Sequence, residues 1–352
     1  MDLKDLRDRI DKIDREVVEL LEERMELGIR STKFKDSISD PKREDEVMQR
    51  LASLKCELVE AEFRKKVLRQ IMDEGKRLQG SHGKLVAFQG EHGAYSEVAS
   101  RGLVPGGVYI PCLEFADVFR GVSDGSFDVG IVPVENSLEG SVTQSNELLI
   151  DTELRISGEV RVPIKHCLVA PHGTDYRDVH IVYSHPQALG QCRGFVSRNK
   201  LSPRPFYDTA GAAKMIAKER PYGAAAIASE LAAELYDLAT IKRGIADSEE
   251  NSTRFVMLSK QPARAPGDKC SLIFATKHEA GRLYSILRHF ADAGINLTRI
   301  ASAPRRQDPG NYNFFCDFEG SDTDEKIKGI LKRIEDEAVH YNFLGCYTAM
   351  KG

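Results

Sequence analysis

Residues 3–36 read LKDLRDRIDKIDREVVELLEERMELGIRSTKFKD. Leu3, Leu6, Ile10, Ile13, Val17, Leu20, Leu27 and Phe34 recur at alternating three- and four-residue steps or whole heptads, the seam of one long amphipathic helix. Asp2 suits its N-cap. Seven residues beyond Val17 the pattern asks for an aliphatic side chain and meets Arg24. An unpaired guanidinium is expensive to bury, so Arg24 either snorkels from the seam edge or faces an anion. Arg7 and Lys35 lie on the flank of the same seam, four heptads apart. At roughly 1.5 Å per residue that is about 42 Å, too far for one site in one chain. An antiparallel copy of the helix would bring Arg7 of one chain near Arg24 and Lys35 of the other, which predicts a homodimer with shared sites.

The rest of the first 79 residues is also helical in composition, holding only Gly28, Gly75 and Pro41 as breakers. A short helix starts after Asp40, with Pro41 tolerated in its first turn. A third carries Phe63, Val67 and Ile71 on one face, a stripe that continues through Gly75 to Gln79. An amide on such a stripe calls for a hydrogen-bonding partner, and Gly75 leaves room for a bound group.

After Gly80-Ser81-His82-Gly83 the pattern changes to short apolar runs followed by helical stretches, the mark of an α/β architecture with mostly parallel strands. A long β-like stretch from Arg155 to Ala170 breaks the alternation and suggests a crossover between two lobes. A second linker, QPARAPGD (261–268), precedes a strand–helix–strand–strand–helix–strand order, the ferredoxin-like split βαβ unit. The expected organisation is an all-α domain over 1–79, a two-lobed α/β domain over 84–260 and an α+β domain over 269–352.

A length of 352 residues fits two or three domains. The net charge of −4 argues against a nucleic-acid partner, which needs a basic face. No apolar run reaches the roughly 18–20 residues of a membrane span. The charged N-terminus and seven cysteines without a CxxC pair point to a reduced, cytoplasmic protein without a structural metal site. HExxH, GxSxG, GxGxxG and Walker patterns do not occur, which disfavours metal hydrolysis and serine-esterase chemistry.

The motif LRDRIDKIDREVVELLEERMELGIRSTKFK, with DPKRE and IMDEGKRLQ, resembles the all-helical chorismate mutase family over roughly 1–79. The resemblance implies a dimeric cationic pocket for chorismate. Arg7 from the partner, Arg24 and Arg43 would hold carboxylates, Lys35 and Gln79 the ether oxygen, and Asp40 and Glu44 the hydroxyl side. Gly75 stands where that family usually has serine.

Five polar segments follow in the next domain: GEHGAYSEVAS (90–100), VPVENSLEGSV (132–142), SHPQALGQC (184–192), DTAGAA (208–213) and NSTRF (251–255). In this order they are similar to prephenate dehydratases. The resemblance makes Thr253 the donor to the leaving hydroxyl of prephenate, with Asn136, Ser184 and Gln191 as polar contacts and Phe255 packing the site. Ser96 and Thr209 join the substrate-binding set. Glu135, expected to be buried beside Asn136, is the carboxyl that a raised pKa would make an acid. Arg254 is open between anchoring the pyruvyl carboxylate and a structural ion pair. Neither reaction requires a cofactor.

Gly281-Arg-Leu and Gly294-Ile-Asn-Leu-Thr look like an ACT domain, a sensor of amino acids. Gly281, Leu283, Asn296, Leu297 and Ser302 would form its regulatory site, with phenylalanine as effector and pairing that could extend the dimer to a tetramer. Arg282 replaces the family's alanine, and Ala301-Ser302-Ala303-Pro304 lacks its Glu and Arg. The expected activity is conversion of chorismate to prephenate and of prephenate to phenylpyruvate, for phenylalanine biosynthesis. Two alternatives stand beside it: arogenate as the dehydrated substrate, and a non-enzymatic two-lobed binding protein carrying an amino-acid sensor.

Overall fold

Helix α1 (Leu3–Arg30) starts where Asp2 and Asp5 exchange side-chain-to-backbone hydrogen bonds of 2.8 Å each, a reciprocal capping box. The computed structural model describes residues 2–305 and 311–350. A 3₁₀ turn (Ser31–Phe34) leads to α2 (Pro41–Ala52), capped by the Asp40 carboxylate on the Arg43 N–H, and then to α3 (Ala61–Ser81). Helix α3 runs two residues beyond Gln79, so the linker is shorter than its glycines suggest. It packs on both α1 and α2. The seam of α1 is not covered by its own chain: Leu3 is 64% exposed, Ile10 56%, Leu20 64% and Phe34 75%. Each such side chain left in water forgoes about 1.5–3 kcal/mol.

The first lobe contains β1 (Leu85–Gln89), α4 (Tyr95–Leu103), β2 (Val108–Cys112), α5 (Phe115–Asp124), β3 (Val129–Asn136), β4 (Gly140–Ser141), α6 (Thr143–Ile150) and β5 (Arg155–Pro163). The second contains β6 (Cys167–Pro171), β7 (Ile181–Ser184), α7 (Pro186–Gln191), α8 (Arg193–Arg198), β8 (Ser202–Pro205), α9 (Thr209–Glu219), β9 (Ala224–Ala228), α10 (Glu230–Leu235) and β10 (Leu238–Lys242). The chain then returns to the first lobe as β11 (Ser252–Ser259).

Thus the β-like stretch at 155–170 is two strands in two different sheets, joined by a crossover. The two crossovers are tied to each other: Ile164 N–H donates to the Asn251 carbonyl at 2.8 Å, and Ile245 N–H to the His166 carbonyl at 3.1 Å. The expectation of mostly parallel sheets needs correction. Each lobe has a parallel trio, β2-β1-β3 and β8-β7-β9. The pairs β3–β4, β3–β11, β11–β5, β9–β6 and β6–β10 are antiparallel. A strand that crosses from one lobe enters the other sheet without a preceding βαβ unit, so nothing forces it parallel.

The C-terminal part comprises β12 (Lys269–Ala275), α11 (Arg282–Asp292), β13 (Leu297–Pro304), β14 (Tyr312–Glu319), α12 (Glu325–Glu337) and β15 (His340–Tyr347). Its sheet is antiparallel in the order β13-β14-β12-β15, that of the split βαβ unit. A final pair of residues, β16 (Ala349–Met350), adds to β5 of the first lobe. No described helix is long and apolar enough to cross a membrane.

The helical part is docked on the first lobe by buried Ile29, by Lys33 on Asp128 at 2.5 Å, and by Arg30 over the Phe127 ring at 5.5 Å. Arg15 also reaches the second lobe, donating to the Ala217 carbonyl at 3.3 Å. His92 lies between Glu26 of α1 and Glu97 of the first lobe, at 3.6 and 3.3 Å. Burial alone would lower its pKa, but the two carboxylates outweigh that and push it up from 6.5 to about 9. A raised folded-state pKa means that the His92 contribution to the attachment is complete below about pH 6.5 and is lost as pH rises through about 9. Limited proteolysis of the linker after α3 should therefore accelerate between pH 7 and pH 10 in the native protein and not in His92→Gln, whose cleavage stays flat with pH.

Candidate active sites

In the helical part, Lys35 Nζ donates to Gln79 Oε1 at 2.6 Å and to the Ile38 carbonyl at 3.2 Å. Arg24 Nη1 lies at 3.4 Å from the Ile71 carbonyl on the facing helix. The two glycines frame this group. A Cβ at Gly75 would meet Arg24 Nη1 at 3.4 Å, and one at Gly28 would meet Gln79 Nε2 at 3.3 Å. The structure thus brings Arg24, Lys35 and Gln79 around Gly75. Glu44 accepts from Lys76 Nζ at 3.0 Å and from Ser39 Oγ at 3.3 Å, while Asp40 caps α2. Arg43 is exposed and pairs with Glu46 at 3.4 Å. Arg7 is exposed on α1, 17 residues before Arg24, and takes no part in this group within one chain. Lys76 is a cation that sequence reading missed, because its pairing with Glu44 depends on how α3 crosses α2.

The second site lies between the lobes, at a cavity of about 550 Å³ lined by residues of the β3–β4 turn and α7, among them Asn136, Glu139, Val142, Gln187 and Gln191. Strand pairing sets Thr253 of β11 opposite Asn136 of β3. Asn136 Nδ2 donates to Thr253 Oγ1 and to Asn251 Oδ1, both at 2.9 Å. Asn251 donates to Gln191 Oε1 at 3.1 Å, and His166 Nε2 reaches the same oxygen at 2.9 Å. Tyr95 closes the chain, with its hydroxyl 3.2 Å from His166 Nδ1.

The contacts of His166 suit a neutral ring. Its Nε2–H points at an amide oxygen and its Nδ1 accepts from the tyrosine. Burial agrees, lowering its pKa below 6.5 against the smaller raising effect of Gln191. Tyr95, His166 and Asn251 escaped the sequence reading as single residues. Two of them sit on the crossovers, and what could have marked them is a polar side chain at each change of sheet.

One expectation fails and one open alternative is decided, for the same reason. Alternate residues of a strand face opposite sides, so Arg254 and Glu135 point away from the cleft that holds Thr253 and Asn136. Glu135 is half-buried and lies 3.4 Å from Arg254 and 3.6 Å from Arg161. It is therefore a partner in ion pairs, not an acid buried beside Asn136. Arg254 is 2% exposed and is gripped by Glu159 at 2.8 Å and Asp317 at 2.6 Å, so it cannot anchor a substrate.

Ser184 is fully buried and donates to the Ile227 carbonyl at 2.6 Å, which commits its proton to the second lobe's sheet. Phe255 lies in the first-lobe core with Tyr95, Val98 and Val160. Ser96 and Thr209 stand in the first turns of α4 and α9, and neither is hydrogen-bonded to the Asn136 chain. Asp208 caps α9 on the Gly211 N–H. Burial raises its carboxyl above the usual range, although the N–H groups of Gly211 and Ala210 pull the other way.

In the C-terminal part a cavity of about 240 Å³ is lined by Thr276–Ala280, Leu283, Asn311, Tyr312 and Phe314. Gly281 is left-handed at φ 86° and opens α11. Arg282 is turned to Glu279 at 2.8 Å. Asn296, Leu297 and Ser302 do not line this cavity; Ser302 is exposed on β13.

Comparison with known proteins covers both sites. The chorismate mutase type II family model matches residues 6–80, and the prephenate dehydratase model matches residues 86–263. A bifunctional chorismate mutase/prephenate dehydratase of Aquifex aeolicus is 34% identical over 98% of this chain and 98% of its own. Arogenate dehydratase/prephenate dehydratase 2 of Arabidopsis thaliana is 40% identical over 74% of this chain and 72% of its own. Among solved structures, prephenate dehydratase from Arthrobacter aurescens in complex with L-Phe aligns with a TM-score of 0.68 at 32% identity, covering 75% of this chain and 90% of that one. Two matched domains in one chain, and a relative that shares both from end to end, place this chain in the family of bifunctional chorismate mutase/prephenate dehydratases, enzymes of phenylalanine biosynthesis.

Proposed function

We propose that the Lys35–Gln79–Arg24 group performs the chorismate rearrangement and that the Asn136–Thr253 pair performs the dehydration. The first reaction is unimolecular and needs no proton transfer. The site must hold a compact dianion and stabilise charge developing on its ether oxygen. Lys35 and Gln79 take the ether oxygen, and Arg24, Arg43 and Arg7 of the partner subunit take the carboxylates. The uncovered α1 seam supports the dimer that this sharing requires.

The observation that carries the dehydratase assignment is the 2.9 Å contact from Asn136 to Thr253 in the interlobe cleft. Because Asn136 donates, the threonine proton is left to donate to the leaving hydroxyl. The hydrogen-bonded chain around it brings no cation to the cleft, and Gln191 extends it to the Glu139 carboxylate at 3.3 Å. That suits a reaction in which the ring carboxylate must leave as CO2, since a cation there would hold it back. Arg254, turned to the other face, respects this condition. Turnover of the purified chain on chorismate, prephenate and arogenate tests the reading. Phenylpyruvate should form from prephenate, and chorismate should be consumed without added enzyme. Preference for arogenate, in line with the plant relative's name, would redirect the second half.

The βαββαβ unit over 269–352 is read as an ACT domain that senses phenylalanine, supported by its strand order and by its cavity. Titrated phenylalanine should give a calorimetric isotherm and depress the dehydratase rate while the mutase rate holds. A flat isotherm would leave the unit with a dimerising role alone.

A further inference from the structure

The contact between the first lobe and the C-terminal sheet is a buried set of charges directly behind the dehydratase centre. Arg254 follows Thr253 in β11 and points to the opposite side. There Nη1 meets Glu159 Oε2 at 2.8 Å and Nη2 meets Asp317 Oδ2 at 2.6 Å. Asp317 belongs to β14 and is 3% exposed. Its other oxygen accepts from Ser271 Oγ of β12 at 2.6 Å, and Ser271 lies 2.7 Å from the Tyr347 hydroxyl. Lys269 Nζ pairs with Glu159 at 2.7 Å. Arg299 of β13 sits beside this set and reaches Asn146 Oδ1 at 3.2 Å. Asn146 in turn holds the carbonyls of Val134 and Val142 at 2.9 Å each. Both ends of this arrangement bear on the cleft, one through Arg254 to Thr253 and the other through Val134 and Val142 to the turn that carries Asn136.

From this geometry we infer that Asp317 is a positioning residue for dehydration: by fixing Arg254 it holds β11 so that the Thr253 hydroxyl stays in line with Asn136. The inference rests on the assignment of Thr253 above. A buried, paired guanidinium has few alternative poses in a low-dielectric interface. The strand that carries it is therefore immobilised from behind, and the hydroxyl on its front is aimed without any contact between Asp317 and substrate. Asp317 lies three residues from Phe314, a wall of the C-terminal cavity. A shift of β14 at that cavity would thus be felt at Thr253.

The test uses the full-length protein carrying Asp317→Asn, with Ser271→Ala as a milder second variant that weakens the hold on the same carboxylate. Asp317→Asn should lower dehydratase kcat tenfold or more, with KM for prephenate changed less than twofold and mutase kcat unchanged. Ser271→Ala should lower dehydratase kcat a few-fold in the same pattern while melting close to the parent protein. In the Thr253→Ser background, whose hydroxyl is already less constrained, Asp317→Asn should cost less than it does alone. The idea is overturned if Asp317→Asn keeps full dehydratase kcat. It is equally overturned if the loss extends to the mutase while Ser271→Ala, stably folded, retains full dehydratase activity. Failure of the Thr253 assignment itself would look different: Thr253→Ala would then remain active whatever Asp317 does.

Discussion

Replacing Thr253 by alanine should reduce phenylpyruvate formation by about 10²–10³-fold and leave the chorismate rearrangement at its full rate. The magnitude follows from removing one preorganised donor in a water-poor site, about 2.7–4 kcal/mol. The selectivity follows from the fold, because Thr253 lies on β11 between the lobes and the mutase group lies on α1 and α3. Thr253 is 9% exposed and packs within a strand pair, so losing its methyl and hydroxyl should not unfold the chain. Thr253→Ser keeps the proton but frees the rotamer, and should fall between the two. Separate assays of chorismate consumption and phenylpyruvate release check this. Undiminished phenylpyruvate release from Thr253→Ala would remove the donor role, and a joint loss of both rates would indicate misfolding.

Lys35→Ala should slow the mutase on the order of a hundredfold or more, with dehydration of added prephenate unaffected. Lys35 is exposed in the single chain and, among the described residues, is held by hydrogen bonds to Gln79 and the Ile38 carbonyl. Its removal should therefore cost little stability. Arg7→Ala should also be defective, although Arg7 lies far from Lys35 along α1. Mixing the two defective proteins after dissociation distinguishes a shared site from a self-contained one. In a two-fold dimer each mixed pair rebuilds one intact site and spoils the other, so activity should return to roughly a quarter of the native level. A mixture as inactive as its parents would confine the site to one chain.

The sequence was most legible where one periodicity ran long. The α1 seam, the Asp2 cap, the start of α2 after Asp40 and the order of elements after 269 followed from spacing and local turn chemistry alone. Arg24, Lys35 and Gln79 stood out because each interrupts or borders an apolar stripe, and the fold does gather them. The dehydratase cleft was harder to read. Thr253, Asn136 and Gln191 were visible through their motifs. Glu135 was misplaced, and Arg254 left open, because motif reading treats neighbours in sequence as neighbours in space, while a strand sends them to opposite sides. His166 had no local pattern, and Asn251 and Tyr95, although inside the NSTRF and GEHGAYSEVAS segments, were not singled out: their contacts arise where separated stretches of chain meet between the lobes. The antiparallel half of each sheet was hidden for the same reason, since strand direction after a crossover depends on a return some 80 residues later.

That meeting point has a practical consequence for anyone altering this enzyme. The two crossovers between the lobes carry the same amide and imidazole bonds that, on the proposed assignment, orient the leaving group. On that assignment, substitutions at residues 163–167 and 245–251 should change substrate capture and bond breaking together. Engineering that loosens these crossovers to admit a bulkier ring should sacrifice turnover in proportion, and new specificity is better sought on the rim formed by Glu139, Val142 and Gln187.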